Sequence, residues 1–172
     1  ATHAPDGCPI SHSASKTPAC DRGSLQQHLV DAFCIEDLDS IDPALRRRYQ
    51  SLVGALLYCS CNTRPDVAFA VSYLSRAMAR PTPALMEDAL RVLYYLHRHK
   101  DVGLTYESSS EFLHGFSDSD WGVPHSTSGY VFQFQNATIS WGSKKQVSVA
   151  LSSCEAELMA VSDASKEAIY LR

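Results

Sequence analysis

With 172 residues, 45% hydrophobic and 20% charged, the chain has ordinary globular composition and room for one domain, or one domain with an appendage. Its net charge of −4 and pI of about 5.9 argue against tight autonomous binding to nucleic acid. Such binders draw much of their affinity from basic side chains set against phosphates. The local pair Lys144–Lys145 leaves room for a small basic site, and no stretch reaches the ~18 uninterrupted apolar residues that a membrane span requires.

Residues 1–24 are rich in Pro, Ser, Gly and Thr, with Ile10 as their one large aliphatic side chain. This composition cannot build a core and predicts a flexible arm, with a short amphipathic segment following around Leu25, Leu29, Val30 and Phe33. His3, Cys8, His12 and Cys20 in this arm have the spacing of no standard zinc site. The six cysteines are scattered, and the N-terminus has no basic and apolar leader pattern. Free thiols in a reducing compartment are expected. The chain opens on Ala1, which predicts a processed product or a piece of a longer polypeptide.

Three helices are expected over residues 43–100. Pro43 opens the first, with Leu45, Tyr49, Leu52, Val53, Leu56 and Leu57 at helical spacing. Pro65 opens the second, with Val67, Ala70, Val71, Leu74 and Met78 as its stripe. Thr82 caps the third and Pro83 begins it, and Leu85, Ala89, Val92, Leu93 and Leu96 form its apolar face. His97 and His99, beside Arg98 and Lys100, read as a solvated helix end. No catalytic constellation is visible in this region.

After Gly103 the pattern becomes extended. Residues 111–121, 126–135 and 136–141 predict three antiparallel strands joined by short turns. The segment from Leu151 to Arg172 then predicts a helix. Ser152 and Glu155 have the spacing of a capping box, which gives Glu155 a structural task. Glu157 falls about 200° further round the helix. It shares a stripe with Val161, Ala164 and Ala168, so an inward-facing glutamate is expected there. A buried carboxylate is costly unless it is paired or binds a metal. On the first strand Asp118 and Asp120 share the Phe116 side. The pair Asp118 and Asp120, with an inward Glu157 on the packing helix, suggests oxygen ligands for a divalent cation, the chemistry used in phosphodiester hydrolysis.

The strings YQSLVGALLY (49–58), TRPDVAFAVSYLSR (63–76), VLYYL (92–96), DVGLTY (101–106), GFSDSDW (115–121), STSGYVF (126–132), ISWGSKKQ (139–146) and VALSSCEAELMA (149–160) occur in one order over about 125 residues. In these strings the chain resembles the Pol polyprotein of copia-type LTR retrotransposons (Pseudoviridae), across the end of reverse transcriptase and the start of ribonuclease H. The resemblance implies an α+β chain in three parts. Residues 1–42 would be a flexible arm, 43–106 a thumb- or connection-like helical region, and 107–172 the first half of an RNase H-like domain, a three-stranded meander with one packed helix. It implies metal-binding and catalytic roles for Asp118 and Glu157, Mg²⁺ or Mn²⁺ as cofactor, RNA–DNA hybrid or primer–template as partner, and a cytoplasmic or nuclear location. The family's third and fourth metal-binding acids have no counterpart here, and the YxDD of its polymerase site does not occur. The stretch after Trp121 is also shorter than the family's. The chain is therefore expected to be inactive as a nuclease by itself. The contrasting expectation is a non-catalytic structural or interaction subunit whose open first-strand edge pairs with a protein partner.

Overall fold

The computed structural model describes His28 and residues 42–107, 112–122 and 125–172. The expected arm therefore lies outside the described residues, apart from His28 and Asp42. The helices come first: α1 (Pro43–Asn62), a 3₁₀ turn (Pro65–Val67), α2 (Ala68–Ser75) and α3 (Pro83–Arg98). The strands β1 (His114–Asp120), β2 (Thr127–Phe134) and β3 (Ala137–Lys145) follow, and α4 (Ser153–Leu171) closes the order. The α+β arrangement agrees with the sequence.

Local chemistry accounts for the helix boundaries. Asp42 caps α1 by accepting from the Ala44 amide, and Thr82 caps α3 by accepting from Leu85 N at 3.3 Å. The second helix departs from expectation. Its first residues form a 3₁₀ turn, and it ends at Ser75 in a series of turns up to Arg80. The helices share one core of Tyr49, Val53, Leu56, Val67, Val71, Tyr73, Leu74, Ala77, Leu85, Ala89 and Val92. Burying a side chain such as Leu56, Leu74 or Leu85 contributes about 1.5–3 kcal/mol. Leu93 was expected to join this face and is instead 44% exposed. The turn position that faces the core is taken by Asp88, a polar residue that an apolar pattern does not reveal.

The sheet is a meander in the order β1-β2-β3, with β1 at an edge. Phe134 pairs with Ala137, so Gln135 and Asn136 form a two-residue turn. Both have positive φ, 50° and 62°, the geometry of a hairpin turn whose twist suits the strands. Register shifts between Phe132 and Gln133, which leaves Ile139 as the extra residue of a bulge. The expected extended stretch 103–106 joins no strand, although Tyr106 donates to the Thr138 carbonyl.

Helix α4 lies on the face of the sheet that carries Ser117, Ser119, Ser128, Tyr130 and Phe132. The contacts that fix this are Ser140 Oγ to Glu167 Oε1 at 2.6 Å and Gln146 Nε2 to the Ala156 carbonyl at 2.8 Å. Ala156, Ala160 and Ala164 make the contacting stripe of α4 and are all buried. The opposite face turns toward the helices. There Trp141 Nε1 donates to the Ser60 carbonyl at 2.8 Å and Arg76 reaches Thr127.

Two measurements test this packing. Ala160→Leu forces extra volume between α4 and the sheet and is expected to lower stability by about 1–3 kcal/mol in urea unfolding. Tyr49 is fully buried, donates to the Leu74 carbonyl at 2.8 Å, and has its pKa raised above the usual 10.0 by burial and then by Asp88. A raised folded-state pKa gives stability that is complete below the unfolded value and lost as pH climbs toward the folded one. The unfolding free energy is therefore expected to fall above about pH 10, and Tyr49→Phe should flatten that part of the profile.

Candidate functional site: two carboxylates at the end of the sheet

Alternation along β1 places Asp118 on the face away from α4. Its register partner there is Gly129, and Gly129 pairs in turn with Ser143. This face and the start of the second helix enclose a groove of about 660 Å³. Asp66 and Phe69 line it from the helical side, and Phe116, Asp118, Asp120 and Trp141 from the sheet. Asp118 is exposed, and its Oδ1 accepts from the Ser119 amide at 2.8 Å. A carboxylate placed in this way is open to solvent and to a ligand.

Glu157 does not sit as the helical pattern suggested. It is exposed, and the buried stripe is Ala156–Ala160–Ala164. Val161, assigned to the same inward stripe, is 50% exposed. Small alanines form the contact on the face that carries Ser119 and Ser128, and this stripe lies one residue away from the expected one, with Glu157 at its border. Glu155 has the structural role expected of it, with altered partners. Ser152 Oγ accepts from the Glu155 amide, while Glu155 Oε2 accepts from the Leu151 amide at 2.8 Å, one residue earlier than a standard capping box.

Asp118 and Glu157 are hard oxygen donors of the kind Mg²⁺ takes. Among the described residues, however, no three His, Cys, Asp or Glu side chains form a group able to hold a metal. The donors are correct in kind, but Asp118 lies on the sheet face away from α4 whereas Glu157 is on α4, so the expected convergence on one ion is not seen, and two donors are too few for a two-ion centre. Cys59, Cys61 and Cys154 are free thiols, as expected, and the other three cysteines lie outside the described residues.

The sequence did not reveal three further features. Gln146 is 6% exposed, and its Nε2 donates both to Ser128 Oγ and to the Ala156 carbonyl, tying the end of β3 to β2 and α4. Arg64 is 8% exposed. It holds Asp66 through Nε and Nη2 at 3.0 and 2.8 Å and donates to the His99 carbonyl, which anchors the groove's helical wall to the end of α3. Its hydrogen bonds hold the Asp66 carboxyl below the usual range. Asp88 is 1% exposed and is bound by Arg91 at 2.8 Å and by His28. The signal available for Arg64 was its place between a helix end and Pro65; Asp88 and Gln146 had none.

No family model matches the chain, and no solved structure does. Curated relatives do. The Pol polyprotein of transposon TNT 1-94 from Nicotiana tabacum is 38% identical over 128 residues, which is 72% of this chain and 10% of that protein. The putative transposon Ty5-1 protein YCL074W of Saccharomyces cerevisiae is 40% identical over 67% of this chain and 39% of its own length. The chain belongs to the copia-type retrotransposon Pol family. The Pol segment it represents is a small part of its polyprotein relatives. A relative of similar extent also exists: Secreted RxLR effector protein 161 of Plasmopara viticola is 44% identical over 72% of this chain and 90% of its own. Among the described residues no helix is long and apolar enough to cross a membrane.

Gln146→Leu removes both buried donations. It is expected to cost about 1–3 kcal/mol in urea unfolding and to raise hydrogen exchange at the first turn of α4.

Proposed function

We propose that this Pol segment supplies two of the carboxylates, Asp118 and Glu157, that hold Mg²⁺ or Mn²⁺ in a ribonuclease H site acting on RNA–DNA hybrids. The observation that carries the reading is the position of Asp118. It stands exposed in an open groove between the helical part and the sheet, within a stretch shared with Pol polyproteins. The chain's own residues hold that arrangement open. Arg64 fixes Asp66 at the groove wall, and Gln146 fixes the N-terminal end of α4, where Glu157 projects. With two donors in hand, no hydrolytic step is assigned to this chain. The remaining ligands would come from other parts of the polyprotein, whose relatives are about ten times as long as the shared stretch.

The second reading is a non-catalytic interaction module, with the open β1 edge as the pairing surface for a protein partner. It is favoured by the effector protein of similar extent, nine tenths of which is covered by this chain.

The test is hybrid cleavage by a longer Pol segment that continues beyond α4, with Mg²⁺ present. Cleavage is expected to drop at least about a hundredfold in Asp118→Asn and in Glu157→Gln. Cleavage unchanged in both variants would remove these residues from the site and leave the interaction reading.

A further inference from the structure

All the buried side-chain polar atoms without a partner among the described residues belong to Arg76, Ser119, His125, Ser126, Ser143 and Gln146. They lie toward one end of the sheet but on both faces: Ser143 shares the face of Asp118, and Ser119 and Gln146 lie on the α4 face. Asp120 pairs with Thr127, Ser119 with Ser128 and Ser143 with Gly129, and the Gln146 amide donates to the Ser126 carbonyl. Folded proteins leave few such atoms, and a cluster of them points to a polar species that the protein chain does not itself supply.

Arg76 is the charged member. Its guanidinium stacks on Tyr73 with Cζ 4.0 Å from the ring centroid, and Nη2 donates to Thr127 Oγ1 at 3.2 Å. Nε is buried without a partner. No carboxylate among the described residues lies within ion-pair distance of it. A guanidinium has five donors in a fixed fork, and here one of them meets a neutral hydroxyl. Arg64, the one arginine buried among the described residues, is by contrast paired with Asp66. Burial presses the Arg76 pKa below its usual value.

The surroundings say which anion. Thr127 and Ser143 line the groove that holds Asp118, so the fork sits at that groove's border. Residues 43–100 carry nine Lys or Arg against three Asp or Glu, whereas residues 101–172 carry four against nine. The overall acidity therefore hides a basic helical part facing an acidic sheet part. A tetrahedral oxyanion accepts from a planar fork and from hydroxyls together, and phosphate is the anion a guanidinium matches best.

We propose that Arg76, with the hydroxyls of Thr127 and Ser143, forms a phosphate-binding site at the junction of the helical part and the sheet, and that it takes a backbone phosphate of the nucleic acid beside Asp118. The nucleic-acid source rests on the function proposed above; the oxyanion site rests on the geometry alone. It gives the helical part a direct contact with the strand that crosses the groove.

The test uses the full 172-residue chain. Binding of a labelled RNA–DNA hybrid is followed by fluorescence anisotropy across a salt series. Arg76→Met is expected to weaken binding about tenfold and to reduce the slope of log K against log salt by about 0.9, one phosphate contact. Arg76→Lys should keep the slope. Unchanged affinity and slope in a folded Arg76→Met would overturn the site. A second readout needs no destabilising variant: the Arg76 Nε–H resonance, assigned with Arg76→Lys, is followed while inorganic phosphate or the hybrid is added. Saturable shifts with both are expected. A shift with phosphate and no binding of hybrid would support the oxyanion site and overturn the nucleic-acid reading. A resonance that moves with neither ligand would overturn the site itself.

Discussion

The close fit of α4 on the sheet is the constraint on which the rest of the arrangement depends. Ala156, Ala160 and Ala164 are buried against a face that carries Ser117, Ser119 and Ser128. Small side chains on both surfaces let the helix come near, and interiors packed this tightly tolerate little added volume. The fit sets the rotation of α4, and that rotation decides where its acids go. Glu155 is committed to the cap and Glu157 is left at the border of the contact. Gln146 then locks the approach by bonding to the helix backbone and to β2 together.

The other face of the sheet makes the second contact, with the helical part. Trp141 to Ser60 and Arg76 to Thr127 join the two, and the groove remains between them. The joint is polar where the helical core is apolar. Side chains that bridge it are therefore held by hydrogen bonds, and any left without partners become candidates for a ligand. The same joint places Asp118 where it can be reached from outside. Beside this groove, β1 has no second strand partner among the described residues, and an unpaired edge is a pairing surface.

Much of the fold was legible in the sequence, for reasons that can be named. Pro43, Thr82 and Ser152 mark helix starts because each solves a backbone problem locally, by a fixed φ or a side-chain acceptor. The three strands announce themselves by their extended, aromatic and β-branched runs. Asp118 was legible because alternation on a strand has a short, rigid period. The rotation of α4 was not, since residues one step apart on a helix differ by only about 100°, and the partner surface selects between them. Asp88, Gln146 and Arg76 escaped notice because their roles come from residues far away in sequence: Tyr49 near Asp88, Ala156 under Gln146 and Thr127 beside Arg76. The early end of α2 at Ser75 belongs with these, because nothing local forbids the helix from continuing to Arg80.

The central proposal is that Asp118 and Glu157 belong to a metal site that this chain does not complete by itself. The most direct measurement is hydrolysis of an RNA–DNA hybrid by the 172-residue chain itself, with Mg²⁺ or Mn²⁺, alongside circular dichroism to show that it is folded. The account predicts no cleavage above background from the folded chain. Cleavage that disappears in both Asp118→Asn and Glu157→Gln would contradict it, because two acids would then suffice where the described residues offer no third.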